Sequence, residues 1–197
     1  MQTILKRINF LGYIFVFIAT FTVLPASATD LLLLPSKSGR VAISIKKQQV
    51  IAKDNEKNIL YEVAPTVSQH LVRADDIRLV ENANNSKAQL FIVVAREPSR
   101  PKAMGRDYCG AGYEDYLLLV EILEQKLLLR DEILLQSCLK SISMFIDHGE
   151  DHPSNGLTYE KNGSFSYRLV NDNADEKRML SVSDKHFKTK LVRASDQ

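Results

Sequence analysis

The densest run of metal-ligating side chains in the chain is Asp147-His148-Gly149-Glu150-Asp151-His152, two imidazoles and three carboxylates in six residues. His148 and His152 stand four apart, the spacing at which one face of a helix presents two imidazoles to zinc. A catalytic zinc also needs a third ligand and a rigidly held general base. Gly149 inside the run and Pro153 after it argue against a regular helix. The competing reading is an acidic, solvated loop. His148 and His152 are therefore the candidate metal ligands of a metal-dependent cell-envelope enzyme, which is the alternative reading of the chain.

Other chemistries find less support. The sequence holds no G-x-S-x-G elbow. Gly110-Ala111-Gly112 is too short for a phosphate loop and lacks the Lys-Ser/Thr that follows one. Asp107, Glu114 and Asp115 lie near that turn, where acids are ordinarily solvated. His70 and His186 have no motif around them. The sequence thus offers no catalytic residue and no cofactor-binding motif.

Cys109 and Cys138 are the two cysteines. An even pair in an exported chain reads as a disulfide. Between them lie two apolar segments, Tyr113 to Leu123 and Lys126 to Leu135, with a polar break at Glu124-Gln125. A hairpin about that break pairs residues whose numbers sum to about 249, and the two cysteines fall nearly opposite each other at its open end. Gly110 and Gly112 are placed to supply the small bulge this requires. The closed loop of about 30 residues contributes ~3.5 kcal/mol in the chain-entropy description. Residues 115–140 are also rich in helix formers, with Tyr116, Val120, Leu123, Leu127 and Leu134 near one stripe. One long helix would hold the cysteines roughly 40 Å apart. Helix and disulfide exclude each other, and the hairpin is the expectation. The run from Cys109 through Gly112 to Gln136-Ser137-Cys138-Leu139 resembles a pattern in small secreted bacterial proteins of unassigned function, and that resemblance carries no activity with it.

The N-terminus predicts where such a disulfide would form. Lys6 and Arg7 precede an uncharged, mostly apolar run from Ile8 to Leu24, followed by Ala26-Ser27-Ala28. This is the layout of a secretory signal peptide over residues 1–28, cleaved before Thr29, and it predicts a periplasmic or secreted protein. The 17-residue run is at the lower edge of a spanning helix, which needs ~20 residues. No cysteine follows it to take a lipid, and no membrane span is expected after cleavage. The whole chain has 26 basic and 24 acidic residues. Removing the signal removes two bases and no acid, so the mature chain is neutral. A nucleic-acid partner wants a basic face, and none is expected here. Lys185, Lys188, Lys190 and Arg193 form a local basic stripe that reads as a charged edge strand.

The elements that must position these residues are mostly strands. Val41 to Ile45 alternates, Val50 to Lys53 and Ile59 to Val63 are short strands, and Pro65 breaks the chain. Leu71 to Val80 reads as a surface strand, and Leu90 to Val94 as a buried central one. Glu97 to Asp107 is a basic loop, and Ile142 to Ile146 alternates. Asn162-Gly163 marks a hairpin that places Tyr159 and Phe165 on neighbouring strands. Arg178 to Val182 and His186 to Val192 make a final hairpin. Residues 29–197 are thus expected to form a single antiparallel all-β domain, a sandwich or barrel-like meander of short strands with one disulfide. An exported, neutral chain with no catalytic constellation is expected to act by surface complementarity. That points to a periplasmic binding protein without catalytic activity, an immunity or inhibitor protein that neutralises a toxin or cell-wall hydrolase. A structural envelope subunit is a further alternative.

Overall fold

The computed structural model describes residues 32–36, 39–82, 89–99, 112–146, 152–160, 164–193 and 195. The proposed signal peptide, Cys109, Gly110, His148 and the Asn162-Gly163 turn lie outside them. The described strands are β1 (Leu32–Ser36), β2 (Gly39–Lys46), β3 (Gln49–Asp54), β4 (Ile59–Val63), β5 (Asp76–Asn82), β6 (Gln89–Pro98), β7 (Tyr113–Leu123), β8 (Lys126–Ser137), β9 (Thr158–Tyr159), β10 (Phe165–Tyr167), β11 (Glu176–Ser183) and β12 (His186–Arg193). A helix, α1 (Pro65–Arg73), follows β4, and a 3-10 turn spans Pro153–Gly156.

The expected all-β, barrel-like character is present. Eight strands form one sheet in the order β1-β2-β3-β4-β8-β7-β6-β5. Its two end strands, β1 and β5, approach each other, so the sheet curls nearly closed. The other four make a second sheet, β12-β11-β10-β9. Two features correct the sequence reading. β4 and β8 run parallel, through Glu62↔Lys126 and Val63↔Leu127, because α1 carries the chain away from β4 and leaves that edge to β8. Leu71 to Val80 is not one strand: Leu71 lies in the last turn of α1, which ends at Arg73, and β5 begins at Asp76.

β6 and β7 explain why there are two sheets. Both are apolar on both faces, so each needs a cover on each side. The inward set, including Phe91, Val93, Leu118 and Val120, packs with Leu34, Val41 and Ile43 inside the curled sheet. The outward set, including Leu90, Ile92, Leu117 and Leu119, packs on Phe165, Tyr167, Leu180 and Phe187 of the second sheet. Fully burying one such side chain stabilises by ~1.5–3 kcal/mol. The second sheet is also tied on by charge. Lys185, in the β11–β12 turn, reaches Glu121 Oε1 at 2.8 Å, and Arg130 holds the same buried carboxylate. The Phe187 N–H donates to Asp131 at 2.8 Å. Lys185 is therefore a tie to the barrel, while Lys188, Lys190 and Arg193 stay on β12, which does lie at the end of its sheet.

β7 and β8 are the predicted hairpin, turning at Glu124 and Gln125 with φ of 47° and 62°. Paired numbers sum to 249 at the turn and to 251 at the open end, because β8 carries two bulges. The bulges were expected at Gly110 and Gly112. Their effect is to bring Cys138 opposite Tyr113, where its N–H donates to the Tyr113 carbonyl at 3.2 Å. Cys109 lies four residues before Tyr113 in the chain. Ile142 to Ile146 makes only the isolated bridges Ser137↔Ile142 and Met144↔Leu169 in place of the expected strand.

α1 forms where Pro65 occupies its first turn, a position that has no N–H to lose. Val67 and Leu71, one turn apart, enter the inner core. The helix lies against β3, β6 and β8. Its next residue along that face is His70.

Candidate functional site

β6 sends successive side chains to opposite faces of the sheet. Glu97 continues the inward series of Val93 and Ala95, and Arg96 continues the outward series of Ile92 and Val94. Each face meets a histidine, partly buried His70 on one side and buried His152 on the other.

On the inward face His70 Nδ1 lies 2.6 Å from Glu97 Oε1, and its Nε2 lies 2.8 Å from Glu132 Oε2. The imidazole leans against the Tyr116 ring, with centroids 4.8 Å apart. Two carboxylate acceptors require two N–H donors, so the ring is the imidazolium. Burial alone would lower its pKa, but the hydrogen bonds to Glu97 and Glu132 outweigh it, and the pKa is raised. Burial raises the Tyr116 pKa as well, aided by the charges of Glu97, Glu114 and Glu132. A cavity of about 260 Å³ opens beside this cluster, between α1 (Thr66, Gln69, Arg73) and the sheet (Leu129).

On the outward face Arg96 clamps the fully buried Asp115 through Nε at 2.8 Å and Nη2 at 3.3 Å. The guanidinium also lies 4.8 Å over the Tyr113 ring. Burial raises the Asp115 pKa, with Arg96 opposing the rise and Glu114 and Asp76 adding to it. His152 is buried and sits at the start of the 3-10 turn. Its Nδ1 accepts from the Ser154 N–H at 3.2 Å and lies 2.7 Å from Ser154 Oγ. The lone pair is therefore on Nδ1 and the proton on Nε2. Among the described residues Nε2 has no hydrogen-bond partner, and Asp76 Oδ2 lies 3.5 Å from it. Burial, then Arg78, lowers the His152 pKa to about 4, with Arg96 adding to the fall and Asp76 opposing it.

Ser154, His152 and Asp76 thus form a hydroxyl–imidazole–carboxylate chain, which the sequence alone did not suggest. The order of groups is that of a nucleophile, its base and an orienting acid. The electrostatics oppose that role. Activating the hydroxyl requires an imidazolium, and with a pKa of about 4 the ring resists becoming one. Its lone pair is also engaged by the Ser154 amide. His152 acts here as the cap of the 3-10 turn.

Of the sequence-predicted site residues, His152 and Cys138 are described, and His148 and Cys109 lie outside the described residues. Among the described residues, no group of three or more His, Cys, Asp or Glu side chains is arranged to hold a metal. No cysteine among them has a free thiol. No described helix is long and apolar enough to cross a membrane. The cluster that sequence reasoning missed is His70–Glu97–Glu132. Its members are 27 and 62 residues apart, and the one local signal was the Pro65, Val67, Leu71 pattern that announces α1. Comparison with protein-family models, with curated proteins and with solved structures returns no match.

Proposed function

We propose that this chain is an exported, periplasmic binding protein of bacterial origin that acts by surface complementarity, as an immunity or inhibitor protein does toward a toxin or cell-wall hydrolase. The observation that carries the reading is how His70 and His152 are used. His70 donates from both ring nitrogens to carboxylates of its own chain, and His152 gives its lone pair to its own backbone. An imidazole so engaged has nothing left for a substrate proton or a metal. The groups best suited to chemistry work as internal ties, and the function falls to the surface. There, Leu60, Tyr159 and Val170 are each more than half exposed.

The signal-like N-terminus supports export, and a Cys109–Cys138 disulfide goes with it. The position of Cys138 at the mouth of the hairpin, beside Tyr113, suits that bond. The test is crosslinking of the tagged protein in the periplasm of its native host, read by mass spectrometry. A single dominant polypeptide, a toxin or hydrolase foremost, is the expected result. Recovery of the protein from the cytoplasm, or the lack of any specific partner, would overturn the reading.

A further inference from the structure

We infer that the cavity beside Arg168 takes a carboxylate of a polypeptide partner. This rests on the binding-protein reading above and names the chemistry one of its surfaces recognises. The cavity, about 190 Å³, is lined by Phe145, Asn155, Thr158, Ser166, Arg168 and Lys177 among others.

The described charges around it leave one cation over. Lys177 is paired with Glu160 at 3.0 Å. Asp172 feels the charge of Arg168, but Arg178 holds both of its oxygens, at 2.8 and 3.0 Å. Among the described residues Arg168 makes no ion pair, and its buried Nε has no hydrogen-bond partner among them. A buried N–H without an acceptor is rare in folded proteins and asks for an explanation.

The guanidinium is also held in place. It lies 4.6 Å over the Phe145 ring, and the Phe145 N–H donates to the Arg168 carbonyl at 2.8 Å, joining the two segments. A planar fork stacked on an aromatic ring is preorganised for bidentate carboxylate binding. Phe145 is 41% exposed and Val170, two residues along from Arg168, is 59% exposed. An arginine and an aromatic ring set among exposed apolar side chains is the composition of an interface hot spot. The hydroxyls of Thr158 and Ser166 and the amide of Asn155 supply further polar groups on the cavity wall.

The test is a titration of the purified protein, followed by NMR at the Arg168 Nε–H and the Phe145 ring. Four probes separate the sources of the anion. They are acetyl-Ala-Phe-Glu-Phe-amide (side-chain carboxylate), acetyl-Ala-Phe-Gln-Phe acid (terminal carboxylate), acetyl-Ala-Phe-Gln-Phe-amide (neutral) and inorganic phosphate. At least one carboxylate peptide is expected to bind tenfold or more tighter than the neutral one and to shift both signals. Arg168→Gln removes that preference, and Arg168→Lys, which keeps the cation and guards against a folding artefact, retains part of it. Equal binding of the neutral peptide, no shift with either acid, or a response to phosphate alone would overturn the proposal. A partner crosslinked equally well by wild type and Arg168→Gln would leave the binding-protein reading standing and remove this one.

Discussion

His70 and His152 answer to opposite faces of the same strand and carry opposite protonation. His70 meets the inward-facing Glu97 and is held as a cation between two carboxylates. His152 is held neutral by burial first and by Arg78 next, with the outward-facing Arg96 adding to both. Burial presses both rings toward the neutral form. What separates them is the sign of the neighbours that β6 and its partners deliver. One residue of strand alternation, Arg96 against Glu97, places a cation on one side of the sheet and an anion on the other.

The largest effect that can break this comparison comes from Arg96. Arg96→Leu leaves the Asp115 carboxylate fully buried without its cation, and stability should fall by about 3–5 kcal/mol in chemical denaturation. The same substitution removes one of the cations that depress His152, so the His152 pKa should rise while that of His70 stays. A loss under about 1 kcal/mol would show that water reaches Asp115.

The next effect is pH dependence, and the two histidines give it opposite signs. His152 is depressed from the usual 6.5 to about 4. The unfolded chain therefore binds a proton in that window that the folded chain does not, and stability is lost as pH falls from 6.5 toward 4. The loss is on the order of 3 kcal/mol. His70 is raised, so its contribution is complete below its unfolded pKa and is lost as pH rises through the folded value. His152→Gln should flatten the acid limb of a stability–pH profile and His70→Gln the alkaline limb. An acid limb unchanged in His152→Gln would contradict the assignment.

Glu97 and Glu132 sharpen the comparison within the His70 site. Glu97 is nearly buried, and Glu132 is 48% exposed. Glu97→Gln should destabilise by about 1.5–3 kcal/mol at pH 6. Glu132→Gln should cost under about 1 kcal/mol, because water already screens that pair. Both should lower the His70 pKa, the former more. Equal effects would mean that burial does not rank the two ties.

The smallest predicted change is a control that touches neither histidine. Gln125 sits in the β7–β8 turn with φ of 62°. Gln125→Gly should stabilise by about 1 kcal/mol by relieving a left-handed conformation. Thermal denaturation reads this, and neither histidine's titration should move.

The same turn shows how much of the molecule was legible in the sequence. The β7–β8 hairpin was readable from its two apolar segments and the polar break Glu124-Gln125 between them. Polarity was the whole of that turn's signal, as it was at Lys47–Gln48 between β2 and β3 and at Asp184–Lys185 between β11 and β12. All six take positive φ, yet none is glycine or asparagine. The strands compensate for unfavourable turns by burying Val120, Ile122 and Leu127 on one face. β6 was legible because Leu90-Phe-Ile-Val-Val94 is apolar on both faces. The second core it implies was not, because nothing local says that β10 to β12 cover it. Cys138 stands where the hairpin reading put it, near the open end, shifted by bulges in β8 that no residue type marks. The His70 cluster was hidden for a topological reason. Glu97 and Glu132 become neighbours only when β6, β7 and β8 are in register and α1 lies across them.

The measurement that tests the account most directly is a pH titration of the two imidazoles by long-range nitrogen–proton NMR on the intact protein. The account predicts that at pH 6 His70 is protonated on both nitrogens, and that His152 carries its single proton on Nε2 and holds that state down to about pH 4. A neutral His70 at pH 6, or a His152 that titrates near 6.5, would return an imidazole to chemistry and contradict the reading of both as internal ties.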